Sequence, residues 1–193
     1  LNKFFSNYRI TKMATYRNQY LKMMKESGLE IDYVLIIDLD IRKFSIQAIL
    51  SHFNTDTQWD IITANGYSYS KFMKKRYHDT YALVEIGKEN CITTEKNIYG
   101  NQKRWSFLKI GMPLIPVYSA FGGLAIYKYN LFNNVEYRVI ENNDKNVQVK
   151  CEHFSIHKQM HENNYNINVF IDPSLVVYYQ SLPILKKIKS FYA

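Results

Sequence analysis

The stretch Ile31-Asp32-Tyr33-Val34-Leu35-Ile36-Ile37-Asp38-Leu39-Asp40 constrains the fold more than any other. Tyr33 to Ile37 is short, apolar and rich in branched residues, which predicts a strand buried on both faces of a sheet. An unpaired carboxylate is expensive to bury, so Asp38 and Asp40 are expected where that strand leaves the core. In open α/β sheets this carboxyl edge is where ligands bind. Residues i and i+2 share one side of an extended chain, so both carboxylates can address one ion. Two hard oxygen ligands suit Mg²⁺ or Mn²⁺ holding a diphosphate. Asp-x-Asp also arises by chance, so the buried strand before it carries much of the argument.

At 193 residues, with 47% hydrophobic and 16% aromatic residues, the chain is a folded single domain able to bury a core. Its formal charge of +8 favours anionic partners, whether nucleotides, phosphosugars, nucleic acid or an acidic membrane surface. The same charge is also what an abundance of Lys would give with no partner in view. Cys91 and Cys151 make neither a disulfide framework nor a zinc site, and a reducing, cytoplasmic setting is expected. No apolar run is long enough for a membrane span, and the first residues do not read as a signal peptide. The chain opens without Met inside an apparent helix, so it reads as a piece of something longer.

Hydrophobic spacing predicts a helix from about Asn7 to Ser27, capped by Ser6 or Asn7 and ended at Gly28. Ser45 begins a second helix carrying Ile46, Ile49, Leu50 and Phe53. Trp59–Ala64 reads as a core strand stopped by an Asn65-Gly66 turn. Tyr81–Val84 reads as a third short strand, and 87–105 as a polar loop before a short helix at Trp105–Ile110. Leu114–Val117 leads to a strand at Leu124–Tyr127, and Asn142–Asn146 is a polar turn. Glu152–Glu162 is helical in character, Ile167–Ile171 is a last strand ending before Pro173, and Ile184–Phe191 is a basic amphipathic tail. Strands alternating with helices predict a mostly parallel sheet covered on both faces.

Four constellations could carry chemistry. Arg17-Asn18 lies where the apolar stripe of the first helix should continue. Arg17 either turns inward to phosphate or base, fixed by Asn18, or snorkels at the surface. Phe121-Gly122-Gly123 is either a close backbone approach to a ligand or a plain tight turn. His153, His157 and His161 share one helix face beside Cys151-Glu152. His153 is the site candidate among them, and the other two read as packing residues. Asp79, just before Tyr81, either bonds a sugar hydroxyl or caps a turn.

Taken in order, Arg17-Asn18-x-x-Leu21, Asp32-Tyr33-Val34 through Asp38-x-Asp40, and Trp59 to Gly66 form a recurring pattern. Asp79 to Leu83, Ser119 to Tyr127, Cys151-Glu152-His153 and Pro173-Ser174-Leu175 continue it. The pattern, over roughly residues 9 to 176, resembles the Asp-x-Asp-containing GT-A glycosyltransferases of large DNA viruses, bacteria and some eukaryotes. That resemblance implies a Rossmann-like, mostly parallel sheet flanked by helices, lacking the first nucleotide-gripping strand. It implies a Mn²⁺ or Mg²⁺ ion on Asp40, with Asp38 touching the metal or the ribose, and a nucleotide-sugar donor, a UDP-sugar being the one expected. Arg17 and Asn18 would meet the nucleotide. Asn65, Gly122 and Gly123 would flank the donor sugar, with His153 close by. Glu152 would take the acid/base role, with Asp79 as a second catalytic carboxylate. The histidine that often supplies a third metal ligand has no counterpart after His161.

The resulting expectation is a metal-dependent glycosyltransferase acting on a glycan or other hydroxyl acceptor. Its rivals are a nucleotidyltransferase and a non-catalytic basic module. The basic module would bind nucleic acid or an anionic membrane, the latter through Lys186, Lys187 and Lys189. No nucleic-acid motif is present, so nucleic acid is not an expected partner, while peripheral membrane contact through the tail is.

Overall fold

The computed structural model describes residues 3–70, 72–164 and 167–179. The basic tail expected at Ile184–Phe191 lies outside the described residues. The first helix, α1, spans Asn7–Glu26, and the Ser6 hydroxyl accepts a hydrogen bond from the Arg9 N–H at its start. Ile10, Ala14, Arg17 and Leu21 form its buried stripe. Gly28 follows with φ +67°, the left-handed turn that ends helices most cheaply when no Cβ is present.

Strand β1 (Tyr33–Ile37) pairs antiparallel with β5 (Leu124–Lys128) and nothing else among the described residues. It is a sheet edge. Tyr33 and Leu35 are 44% and 41% exposed, and only Ile36 is buried, so the expected two-faced burial is corrected. A short helix α2 (Ile46–Leu50) is capped by Ser45 as expected.

The sheet centres on β2 (Ile61–Tyr69). Beside it lie β3 (Lys75–Tyr77), the two-residue β4 (Ile115–Pro116) and the long β6 (Val169–Tyr178). The order is β1-β5-β2-β6-β4, with β3 continuing along β2 past the point where β5 leaves it. Only the β2–β6 pairing is parallel, so the sheet is mixed and not mostly parallel. Two further helices complete the fold, α3 (Glu95–Arg104) and α4 (Glu152–Asn164).

Alternating side chains of β2 feed two apolar cores. Ile61 joins Ile10, Leu21 and Ile156 on the α1/α4 face, while Ile62 and Ala64 join Ile49, Trp59 and Leu175 on the α2 face.

Two local stop signals are overridden. Asn65-Gly66 lies inside β2 and is not a turn, because the strand pairs on both sides through Tyr67. Pro173 lies inside β6, where the register jumps from Ala64↔Asp172 to Asn65↔Val176. The extra residues bulge outward, a position where proline's missing N–H costs little. Asn65 Nδ2 donates to Pro173 O at 3.0 Å and secures the bulge. Tyr81–Val84 is buried in the core but is not a strand; among the described residues its one β-pairing is an isolated Val84–Ser119 bridge. Helix α3 begins ten residues before the expected 105–110 helix, and a single 3-10 turn occupies Trp105–Phe107.

Gly66 is required by contact. A Cβ there would lie 2.2 Å from Gly122 O, and one on Gly122 (φ +69°) would lie 2.1 Å from Ala64 O. Both obstacles are backbone. Gly66→Ala is therefore expected to cost about 3 kcal/mol in urea unfolding. A loss below about 1 kcal/mol would show that the two segments can separate freely.

Candidate active site

Residues Arg9, Met13 and Arg17 recur every four positions of α1 and turn one helix face toward the end of β1. There Asp38 leaves the sheet, its backbone N–H donating to Gly123 O at 2.9 Å. The Gly122-Gly123 pair, at φ +69° and +88°, lets this loop pass close to its neighbours. A Cβ on Gly123 would strike the Tyr179 hydroxyl at 2.3 Å. That hydroxyl runs beneath the loop and donates to Asp38 Oδ2 at 3.4 Å.

Arg17 is 8% exposed, which decides between the two sequence readings: it turns inward. Its Nη2 donates to Asp38 Oδ1 at 3.2 Å and its Nε donates to Glu152 Oε1 at 3.1 Å. The guanidinium lies 5.4 Å from the Phe121 ring centroid and 5.7 Å from that of Tyr137. One buried cation thus joins the end of β1 to the first residue of α4.

Arg17, Asp38, Glu152 and Phe121 line a cavity of about 130 Å³ together with Arg9, Asp40, His78, Asp79, His153 and Tyr179. Of the residues singled out in the sequence, Arg17, Asp38, Asp40, Asp79, Glu152 and His153 meet here. Asn18 lies elsewhere, bonding both ways to the Tyr137 backbone at 2.9 and 2.8 Å. Asn65 is held in the β6 bulge, and Gly122 and Gly123 shape the cavity wall through backbone contacts. The three histidines diverge: His153 stacks on Phe121 at 3.7 Å, His157 Nε2 meets the Tyr127 hydroxyl at 3.0 Å, and His161 stacks on Tyr118.

Sequence reasoning did not single out Arg9 or Tyr179. The four-residue spacing from Arg9 through Met13 to Arg17 was a usable signal for Arg9. Nothing local marked Tyr179, which reaches the site only because β6 continues past Pro173.

Burial raises the Asp38 carboxyl above its usual range, with Arg17 pulling in the opposite direction. Asp79 is pushed up to about 7, chiefly by burial and then by the charges of Asp38 and Glu152. The Gly122 N–H, donating to Asp79 Oδ2 at 3.3 Å, favours the ionised form and offsets part of this. Burial first, then Arg17 and His157, holds His153 well below the ordinary imidazole range, so it is neutral. Neither His153 ring nitrogen has a hydrogen-bond partner among the described residues.

Among the described residues no group of three or more His, Cys, Asp or Glu side chains is arranged to hold a metal ion. The exposed Asp40 carboxylate carries no hydrogen bond or ion pair among the described residues, and Asp38 is two positions away. This donor set fits a hard cation that takes one or two carboxylates and completes its shell with phosphate oxygens and water.

A cavity lined by carboxylates and one bridging arginine, at the edge of a mixed α/β sheet, offers hydrogen-bond acceptors to a polar, hydroxyl-rich substrate. The family model described as Cryptococcal mannosyltransferase 1 matches residues 2–159, and the chain belongs to that family. The family is named for a mannosyltransferase, so glycosyl transfer is the activity the match indicates. A solved structure described as the crystal structure of A197 from STIV is also similar, with a TM-score of 0.44 and 14% identity. That alignment covers 92% of this chain and 70% of the other. No curated protein matches the chain. Among the described residues no helix is long and apolar enough to cross a membrane.

Two outcomes test the site's electrostatics. Arg17→Met leaves Asp38 and Glu152 without their shared cation. It is expected to cost about 3–5 kcal/mol in urea unfolding at neutral pH, where a surface pair would cost under about 1. Asp79 has a folded value raised above its unfolded one, so its neutral form stabilises the fold. That contribution is complete below the unfolded value near 3.8 and disappears as pH rises through about 7. Asp79→Asn should therefore flatten the fall in thermal midpoint between about pH 4 and 7, and an unchanged slope would contradict the burial of this charge.

Proposed function

We propose that the chain is a divalent-cation-dependent glycosyltransferase that moves a sugar from a nucleotide donor to a hydroxyl acceptor. The observation that carries this reading is the Arg17 bridge between Asp38 and Glu152, with Asp40 left open beside it on the cavity rim. The reading includes the GT-A type and the use of Asp38-x-Asp40 as its metal motif. Asp40 would be the direct ligand of Mn²⁺ or Mg²⁺ and Asp38 the second. When bound, the ion supplies positive charge to a diphosphate that gains negative charge as it leaves.

The chain's own residues do the rest. Arg17 and the Tyr179 hydroxyl each hold one oxygen of the Asp38 carboxylate and fix its orientation toward the ligand. Glu152, by holding Arg17 Nε, sets the plane of the guanidinium, and it stands on the same wall should a second carboxylate meet the sugar. His153, neutral and with neither ring nitrogen hydrogen-bonded among the described residues, would back the donor site from its stack on Phe121. Asp79 accepts a hydrogen bond from the acceptor hydroxyl. As the new carbon–oxygen bond forms, the electron pair of the breaking bond leaves on the diphosphate, and the hydroxyl proton needs a base. A carboxylate whose value lies near 7 is matched to that task. Carboxylates outnumber cations around the cavity, which disfavours a nucleic-acid footprint at this surface.

Calorimetric titration with UDP, GDP and CMP, with and without Mn²⁺, tests the proposal. One nucleotide should bind only with the metal, and Asp40→Ala should weaken it at least about tenfold, or 1.4 kcal/mol. Metal-independent binding that ignores Asp40→Ala would overturn the reading, and a steep salt dependence would favour the basic module instead.

A further inference from the structure

A second cavity, of about 240 Å³, lies on the far side of Asp79. Phe4, His78, Asp79 and Tyr81 line both cavities, so the two are separated by one layer of side chains. The outer walls of the second are Phe5, Tyr99 and Gln102. Ile98, Tyr99 and Gln102 lie on one face of α3, where Ile98 is buried and anchors the helix. The aromatic rings are set at steep angles to one another. Phe5 meets Tyr81 at 4.9 Å and 63°, and Tyr99 at 6.5 Å and 64°, an edge-to-face cluster in which Phe5 and Tyr81 are buried and the open aromatic surface is that of Phe4 and Tyr99. Phe4 and Tyr99 are each 50% exposed.

The polar inventory is selective. The Thr80 hydroxyl donates to Ile98 O at 2.8 Å and the Tyr81 hydroxyl donates to Val149 O at 2.6 Å, so neither is offered to a ligand. Gln102, only partly exposed, makes no side-chain hydrogen bond among the described residues. His78 uses Nδ1 on the Ser68 hydroxyl at 3.3 Å, which leaves Nε2 available, and it is stacked flat on Tyr179 at 3.7 Å.

We propose that this second cavity is the acceptor subsite and that it takes a single pyranose ring. The inference rests on the glycosyltransferase reading and adds the substrate class on its acceptor side. An aldopyranose has an apolar C–H face that packs on aromatic rings and a rim of hydroxyls that needs donors and acceptors. Aromatic walls with a few convergent polar groups supply both. A purely apolar ligand would leave the Gln102 amide unpaired against it, a penalty of the kind that makes hydrogen-bonding sites selective. Cavities for drug-sized ligands run from about 300 Å³ upward, so this volume suits one ring with the remainder of an acceptor in solvent. A hydroxyl of that ring bonded to Asp79 sits at the wall shared with the Asp38–Asp40 cavity, where a donor's anomeric carbon would arrive. In the transfer step the acceptor oxygen bonds to that carbon, the carbon–oxygen bond to the diphosphate breaks with its electron pair, and the hydroxyl proton passes to Asp79.

The test is an NMR titration with the methyl α-glycosides of mannose, glucose and galactose, each to about 100 mM, and with cyclohexanol as an apolar control. At least one glycoside should shift the Gln102 side-chain amide with millimolar affinity. Gln102→Ala and Tyr99→Leu should each weaken it at least about fivefold, while Gln102→Ala leaves metal-dependent nucleotide affinity within about twofold. Shifts confined to other regions, no response to any glycoside, or cyclohexanol binding as tightly as the sugars would overturn the subsite. Glycoside binding at Gln102 in a chain that binds no nucleotide would support the sugar site and remove the transferase reading.

Discussion

A buried guanidinium holds the site together. Arg17 occupies a position on α1 that helical spacing reserves for an apolar residue, and there it meets two carboxylates from distant segments. Removing such a charge from water is costly, and only close, directional pairing offsets it. The two partners come from the end of β1 and the first residue of α4, so one ion network fixes the sheet edge, the first helix and the fourth helix. Phe121 and Tyr137 wall the cation on its flat faces and keep water from competing.

Gly66 of β2 and the Gly122-Gly123 pair before β5 serve the same end by a different route. Gly66 and Gly122 let two backbones approach at a distance no side chain tolerates, and Gly123 clears room for the Tyr179 hydroxyl. Packing on that scale sets where Asp38 emerges. Asp79 is fixed by the same loop through the Gly122 N–H, so the two carboxylates on either side of the cavity share one support.

Much of the local structure was legible because its signals were local. The Ser6 cap, the α1 stripe, the Ser45 cap and the start of α4 follow from spacing and capping chemistry alone. Six of the residues picked out for chemistry converge on one cavity for the same reason: each sits at an element's end or on a buried stripe. What was not legible depended on distant partners. The apolar run of β1 looked doubly buried but is an edge, since strand order is written in no single segment. Asn65-Gly66 and Pro173 are turn signals in isolation, and tertiary pairing absorbs both into long strands through a bulge. Helix α3 was invisible to periodicity because only Ile98 of its residues is buried.

The central claim is that the rim beyond Arg17 holds a cation and a diphosphate together, with Asp40 as a direct ligand. A crystal soaked with Mn²⁺ and a nucleoside diphosphate tests this most directly, since manganese is located by its anomalous scattering. The account predicts a single peak within about 2.0–2.5 Å of an Asp40 oxygen, bridged to the diphosphate, with Arg17 still paired to Asp38. A diphosphate bound elsewhere, or a peak that leaves Asp40 uncoordinated, would contradict it.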